Sequence, residues 1–114
     1  MNNNAVLDKT KRTRELNDSF RRTFTGGQVM LTSGVDALSP DAKAKVLQAV
    51  RSFDAFDSSN DPHKEHDFGS FEIAEQTYFF KIDYYDPEMS AGSEDPADPE
   101  KTTRVLTIMR ADEY

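Results

Sequence analysis

The chain has 114 residues, 21 of them acidic and 14 basic, and a formal net charge of −7. This length predicts a single domain, 1–114, because it is too short for two independent cores. It contains no cysteine, which excludes disulfides and thiolate metal sites and fits a reducing compartment. No apolar run approaches the roughly 18 residues that a membrane helix needs, and no signal peptide is recognisable. We therefore expect a cytoplasmic protein with no membrane partner.

The charge is unevenly distributed along the sequence. Residues 1–24 contain six bases and three acids, whereas residues 83–100 contain seven acids and no base. The acids of the second segment are Asp83, Asp86, Glu88, Glu94, Asp95, Asp98 and Glu100. A weakly basic start in an acidic protein is a poor electrostatic footprint for phosphate, which argues against direct nucleic-acid binding.

Two helices are predicted in the first half of the chain. Leu16, Phe20 and Phe24 recur at four-residue spacing and predict a helix over about 4–24, which Gly26-Gly27 ends. We expect residues 1–4 to be loose. The second helix has a capping residue, Ser39, followed by Pro40 at the first helical position. Its apolar stripe extends the prediction to about residue 53 or 55, through Val46, Leu47, Val50 and Phe53.

Four strands are predicted around these helices. Residues 28–32 form a short strand that Ser33-Gly34 closes as a turn. Residues 70–75 and 77–85 alternate and predict a hairpin that turns at Glu75-Gln76. Residues 102–110 are apolar on both faces, which favours a central strand. The predicted fold is α+β, with two helices packed on one face of a mostly antiparallel sheet in the order helix-strand-helix-strand-strand-strand.

The loop over residues 60–69 divides the two halves and contains both histidines. Its candidate metal ligands are His63, Glu65, His66 and Asp67, which are suitable ligand types for a divalent ion such as Zn²⁺ or Mn²⁺. A histidine–carboxylate pair could also serve acid–base catalysis. The spacing differs from H-E-x-x-H, and the same residues could simply anchor a turn.

The second candidate surface combines the acidic segment with one face of the predicted hairpin. Residues 86–101 are predicted to form an exposed loop, long enough to be a candidate for function or disorder. Its carboxylates could dock on a basic partner or imitate the phosphate charge of nucleic acid, or they could only favour solubility. If helices cover a single sheet face, Phe79 and Tyr85 are exposed aromatics of the kind that mark binding surfaces. Lys81 and Asp83 could line a polar groove there or pair across strands.

Four sequence blocks resemble a known family. They are Leu16 to Arg21, Asn60 to Gly69, Lys81 to Asp86 and Thr103 to Met109, with a closing Glu113-Tyr114. Together they resemble the small proteobacterial domain-of-unknown-function family number thirty-seven sixty-eight. The resemblance implies one domain and an accessory role, encoded on plasmids and other mobile DNA, and it assigns no catalytic or binding residue.

Two functional hypotheses follow from these observations. The first is a non-catalytic protein of mobile-element origin that binds a basic protein partner through Asp83, Tyr85 and the acidic loop, as an inhibitor of a nucleic-acid-handling or defence complex. The second is a small divalent-metal-dependent hydrolase that uses the loop around His63 and His66. A homodimer that pairs sheet edges or aromatic faces is compatible with either.

Overall fold

The structure, a computed structural model, describes residues 3–114, with side chains from residue 5 onward, and has an α+β architecture. Its α-helices are α1 (Asn3–Thr23), α2 (Ser33–Asp36) and α3 (Pro40–Ser52). Its strands are β1 (Gly27–Leu31), β2 (Phe68–Ile73), β3 (Gln76–Tyr85) and β4 (Thr103–Arg110). Two short 3-10 helices, Pro99–Lys101 and Ala111–Glu113, flank β4.

The four strands form one sheet in the order β1-β4-β3-β2, so β4 is central as its apolar sequence predicts. β3 pairs antiparallel with both β2 and β4, and β1 runs parallel to β4. The predicted mostly antiparallel sheet with helices on one face is therefore confirmed.

The core lies between the helices and one sheet face. Alternate residues of β3 and β4 meet the buried side chains of the helices because successive strand residues point to opposite faces. The strand residues of this core are Tyr78, Phe80, Ile82, Leu106 and Ile108, and the helical residues are Phe20, Val35, Val46 and Val50. We call the opposite face, against which none of the α-helices within residues 3–114 packs, the open sheet face.

Three predictions of helix ends and turns differ from the structure, and β2 lies two residues earlier than predicted. The end of α1 is marked by Phe24, which takes the left-handed conformation with φ of 58°, while Gly26 lies in the following connection with φ of 102°. The hairpin turn lies at Ala74 and Glu75, one residue earlier than expected. Both residues have positive φ, which matches a turn whose twist suits the two strands.

The predicted turn at Ser33-Gly34 is the start of the short helix α2. The Glu113 carboxylate accepts hydrogen bonds from the Thr32 hydroxyl at 2.7 Å and the Gly34 backbone N–H at 2.8 Å. This contact joins positions about 80 residues apart in the chain, so local sequence signals do not reveal it.

Two further expectations concern loose residues at the N-terminus and membrane helices. Of residues 1–4, which we expected to be loose, residues 1 and 2 lie outside the described part of the chain, and α1 begins at Asn3. Within residues 3–114, no helix has the length and apolarity that crossing a membrane requires.

Candidate functional site

The dividing loop is held in place by one buried carboxylate. Asp61 is 5% exposed, and its Oδ1 accepts hydrogen bonds from the backbone N–H groups of Glu65 and His66, each at 3.1 Å. Lys64 and His66 have φ of 59° and 56°, a conformation that non-glycine residues rarely adopt. The Asp61 hydrogen bonds stabilise this backbone shape, which aims the His66 ring at the helical layer.

The His66 side chain, which is 25% exposed, lies between charged and aromatic groups. Its Nδ1 lies 2.9 Å from Oδ1 of Asp18 on α1, and its Nε2 lies 3.5 Å from Oδ2 of Asp61. Its ring stacks on Phe56 with the ring centroids 3.8 Å apart. His66 thus joins the loop to α1, as an anchoring role predicts.

Asp18 also pairs with the buried guanidinium of Arg21, whose Nη2 donates to Asp18 Oδ1 at 3.0 Å. The Arg21 Nη1 donates to the backbone carbonyls of Val50 at 2.9 Å and Phe53 at 2.8 Å, which lie at the C-terminal end of α3. Burial lowers the pKa of Arg21, and the Asp18 carboxylate opposes that shift. The pair therefore fastens α1 to α3.

A second chain of polar contacts continues inward from the loop. Asn17 Nδ2 donates to the Glu65 carbonyl at 3.0 Å and to the Tyr84 hydroxyl at 2.8 Å. The Tyr84 hydroxyl donates to the Glu65 carboxylate at 2.6 Å, and Arg104 Nε donates to Asn17 Oδ1 at 2.8 Å. Burial, followed by the hydrogen bond to Glu65, raises the pKa of Tyr84. The hydroxyl therefore stays protonated at neutral pH and serves as a structural donor.

We define the polar cluster as the side chains that make these contacts. Its members are Asn17, Asp18, Arg21, Asp61, Glu65, His66, Tyr84 and Arg104. Sequence reasoning selected Glu65 and His66 as functional candidates but gave no role to Asn17 or Arg104. The sequence does contain one indication that Arg104 is buried. It alternates with Leu106 and Ile108 along β4, so its side chain points to the same inward face.

The four predicted metal ligands are directed at different groups. His63 is exposed, Glu65 bonds to Tyr84, and His66 lies between Asp18 and Asp61. Asp67 is half-buried, and burial raises its pKa. Within residues 3–114, no group of three or more His, Cys, Asp and Glu side chains is arranged to hold a metal ion.

A cleft of about 280 Å³ opens beside His66. Its wall includes Phe56 and Asp61, with the basic side chains of Arg14 and Lys64 at its rim. Arg14 Nη1 donates to the Lys64 carbonyl at 3.0 Å and so ties the rim to α1. The charges lining this cleft are of both signs, and the cleft does not favour one class of ligand.

The acidic loop, residues 86–101, is folded by its own carboxylates. Asp86 accepts a hydrogen bond from the Ser90 N–H at 2.9 Å, Asp95 from the Ala97 N–H at 3.2 Å, and Asp98 from the Glu100 N–H at 2.9 Å. These are the turn-forming hydrogen bonds that aspartate makes with backbone a few residues ahead. They give the loop a defined shape.

The other carboxylates of this segment are more exposed. Glu94 lies 3.5 Å from the Lys101 ammonium, and Asp95 also lies 3.5 Å from that of Lys9 on α1. Glu88 and Glu100 are exposed, and their side chains form no hydrogen bond or salt bridge with any residue in the 3–114 range. The loop therefore presents a net acidic surface on an ordered backbone.

The open sheet face is partly covered by its own aromatic side chains. Phe79 and Tyr85 are half-buried rather than fully exposed. Phe79 packs against Phe68 and Tyr114, with centroid distances of 5.2 and 5.6 Å. Lys81 pairs with Asp83 of the same strand at 2.8 Å, and this contact raises the pKa of Lys81.

The acidic loop and the open sheet face are continuous. Tyr85, the last residue of β3, forms a bridge with Gly92 of the loop, and the Ser93 N–H donates to the Tyr84 carbonyl at 3.1 Å. The predicted partner-binding residues thus lie at one end of the molecule. Three of them, Asp86, Asp95 and Asp98, have local structural roles as well.

Comparison with known proteins identifies a family without an assigned activity. No curated protein and no solved structure matches the chain significantly. The family model described as "Protein of unknown function (DUF3768)" matches residues 31–113. Helix α1, which supplies three members of the polar cluster, lies before the matched region. The match covers most of the chain and three of the four blocks that carry the resemblance, the block Leu16 to Arg21 lying before it, and the chain belongs to this family.

Proposed function

We propose that this protein is a non-catalytic binding protein that engages a basic protein partner through the acidic loop and the adjoining part of the open sheet face. The observation that carries the proposal is the ordered acidic loop, in which aspartates fix the backbone while Glu88 and Glu100 remain exposed. An ordered loop loses less conformational entropy on binding than a disordered one, which favours affinity.

Electrostatics favour a basic partner. Residues 83–100 contribute seven negative charges and no positive one. Within residues 3–114, the salt-bridge partners of these carboxylates are Lys9, Lys81 and Lys101. Like-signed exposed charges attract an oppositely charged protein over roughly a Debye length, about 10 Å at 0.1 M salt. Complementary charge of this kind increases the rate and the selectivity of association with the partner more than it increases the affinity.

The partner class that we propose is a protein that handles nucleic acid. Such proteins present basic surfaces to bind phosphate, and an acidic surface of fixed shape can occupy the same site. In this role the protein would act as an inhibitor that competes with nucleic acid, in keeping with the accessory, mobile-element role that the family resemblance implies. Tyr85 and Asp83 would supply the rim contacts beside the loop.

The contacts of the polar cluster are those of a structural joint. Both ring nitrogens of His66 face carboxylates, and the Glu65 carboxylate is hydrogen-bonded to Tyr84. These contacts commit the side chains to holding the loop, α1 and β3 together. The geometry of the described residues therefore gives the metal-dependent hydrolase no specific support.

Capture of a partner from a cell lysate tests the proposal. The bait is the full chain, compared with a Glu88→Lys/Glu100→Lys double variant that reverses the two exposed carboxylates. The control is Asp8→Lys/Glu15→Lys, which makes the same charge change at exposed positions of α1. We expect a basic protein that is retained at about 0.05 M salt and released at about 0.5 M, because salt screens exposed charges.

The variants determine whether that protein is a specific partner. The full chain and the control should retain it, whereas the double variant should not, and nucleic acid should displace it. Equal retention by both variants, or retention that salt does not alter, would contradict the proposed surface.

A further inference from the structure

We propose that the free edge of β1 pairs with the same edge of a second copy of this chain, which forms an antiparallel dimer about a two-fold axis at Val29. β1 lies at one end of the strand order β1-β4-β3-β2, and within residues 3–114 no strand pairs with its outer side. Gly27, Gln28 and Met30 are exposed, which leaves this edge accessible. An edge strand of this kind offers unpaired backbone N–H and C=O groups to another chain.

The orientation of the β1 backbone determines which of its groups are free. The Thr32 N–H donates to the Ile108 carbonyl of β4 at 3.1 Å, which places the backbone groups of Thr32 on the inner side of the strand. Backbone groups alternate in direction along a strand, so those of Gln28 and Met30 also point to β4. The residues whose backbone groups point outward are Gly27, Val29 and Leu31.

A two-fold axis at Val29 uses all three outward-pointing residues. Val29 would exchange both backbone hydrogen bonds with Val29 of the second copy, and Gly27 would exchange them with Leu31 of that copy. Gln28 would then lie opposite Met30 of the second copy on the open sheet face. The Met30 side chain, which is 52% exposed in the single chain, would become covered in this arrangement.

The charge pattern favours a second copy of the chain as the occupant. Residues 23–35 contain no acidic or basic residue, although the chain has a net charge of −7. A charge near a two-fold axis lies close to its own copy, so an edge that pairs with itself is favoured by neutrality. The other edge strand, β2, carries the exposed Glu72, a charge of the kind that discourages edge pairing. One neutral edge in each chain closes the assembly at two copies.

The dimer would leave the acidic surface of the proposed function free. The acidic loop leads into β4 beside the Gly27 end of β1, because Gly27 is in register with Arg104. Antiparallel pairing places the two Gly27 ends, and with them the two acidic loops, at opposite ends of the interface. Either proposal can therefore fail without the other.

Sedimentation equilibrium of the full chain from about 10 µM to about 1 mM tests the proposal, since this range suits a small interface of low affinity. We expect a monomer–dimer equilibrium that persists at about 0.5 M salt, because neutral strands depend little on screened charges. Glu88→Lys/Glu100→Lys, which alters the acidic loop, should dimerise like the unsubstituted chain. A monomer over the whole range, assemblies larger than a dimer, or loss of the dimer in this variant would overturn the proposal.

Charge substitutions at the two exposed side chains of β1 test the pairing of the strands. Gln28→Lys/Met30→Lys places like charges opposite each other across the interface and should weaken dimerisation at least about tenfold. Gln28→Lys/Met30→Glu places opposite charges there and should restore it. Ala44→Lys/Gln48→Lys adds the same charge as the first variant at exposed positions of α3 and should dimerise normally. Dimerisation that survives the two lysines on β1, or that the opposite charges fail to restore, would overturn the antiparallel pairing.

Discussion

Replacing Tyr84 with phenylalanine tests whether the polar cluster stabilises the fold through its hydrogen bonds. The Tyr84→Phe substitution keeps the ring and removes the hydroxyl that accepts from Asn17 at 2.8 Å and donates to the Glu65 carboxylate at 2.6 Å. A hydrogen bond to a charged group contributes about 1.5–3 kcal/mol and a neutral one about 0.5–1.5 kcal/mol. Because Asn17 is fully buried, its second amide hydrogen would lose its partner without gaining water.

We expect Tyr84→Phe to lower the free energy of unfolding by about 2–3 kcal/mol, which corresponds to about 10 °C in melting temperature. Urea denaturation followed by circular dichroism measures this change, and the slope of the transition should stay the same. The matched control is Tyr85→Phe on the opposite sheet face. The Tyr85 hydroxyl forms no hydrogen bond within residues 3–114, so its loss should change stability by less than about 0.5 kcal/mol. Equal effects of the two substitutions would refute the assigned role.

Two further substitutions, Asp67→Asn and Gly69→Ala, should change the free energy of unfolding in directions that follow from the structure. Burial raises the pKa of Asp67, so its carboxyl group binds a proton more tightly in the folded state than in the unfolded state. The free energy of unfolding therefore falls as pH rises from the ordinary aspartate pKa to the raised pKa of the folded state. Asp67→Asn should therefore raise the free energy of unfolding near neutral pH, and the gain should disappear below about pH 3.9, as urea titrations at several pH values would show. Gly69→Ala should destabilise the fold by at least about 1–3 kcal/mol, because the new methyl group would overlap the Phe80 ring and lie 2.8 Å from that of Phe53. Gly92→Ala is the control, since its methyl group would meet its nearest neighbour at 3.9 Å, and an equal loss of stability in both would contradict the packing described here.

Local signals account for most of the fold prediction. Ser39 was expected to cap α3, and its side chain accepts a hydrogen bond from the Ala42 N–H at 3.2 Å. The near-continuous apolar run in β4 predicted a central strand, which the strand order confirms. These features depend on residues a few positions apart, where capping and periodicity give a direct physical reason for one conformation.

The polar cluster could not be predicted because its contacts join distant positions. Asn17 and Arg104 are separated by 87 residues, and His66 and Asp18 by 48. Sequence patterns place Asn17 near the buried face of α1, beside Phe20, but do not identify its partners. The sequence therefore predicts a candidate metal site at the two histidines, whereas in the structure His66 contacts α1 and His63 lies at the surface.

The acidic loop shows an intermediate degree of predictability. Its length, prolines and charge predicted an exposed segment that could be either functional or disordered. The spacing of Asp86 and Ser90, and of Asp95 and Ala97, produces short-range hydrogen bonds that favour order. Its attachment to α1 through Lys9 and to β3 through Tyr85 depends on the complete fold.

Mapping the bound surface by nuclear magnetic resonance would show whether the acidic loop contacts the partner. Backbone amide chemical shifts of the full chain would be followed during titration with the basic partner obtained by capture. We expect the largest changes to fall on residues 83–101 and to diminish at about 0.5 M salt, because salt screens exposed charges. Changes concentrated on α1 and α3, with the acidic loop unaffected, would contradict the proposed surface.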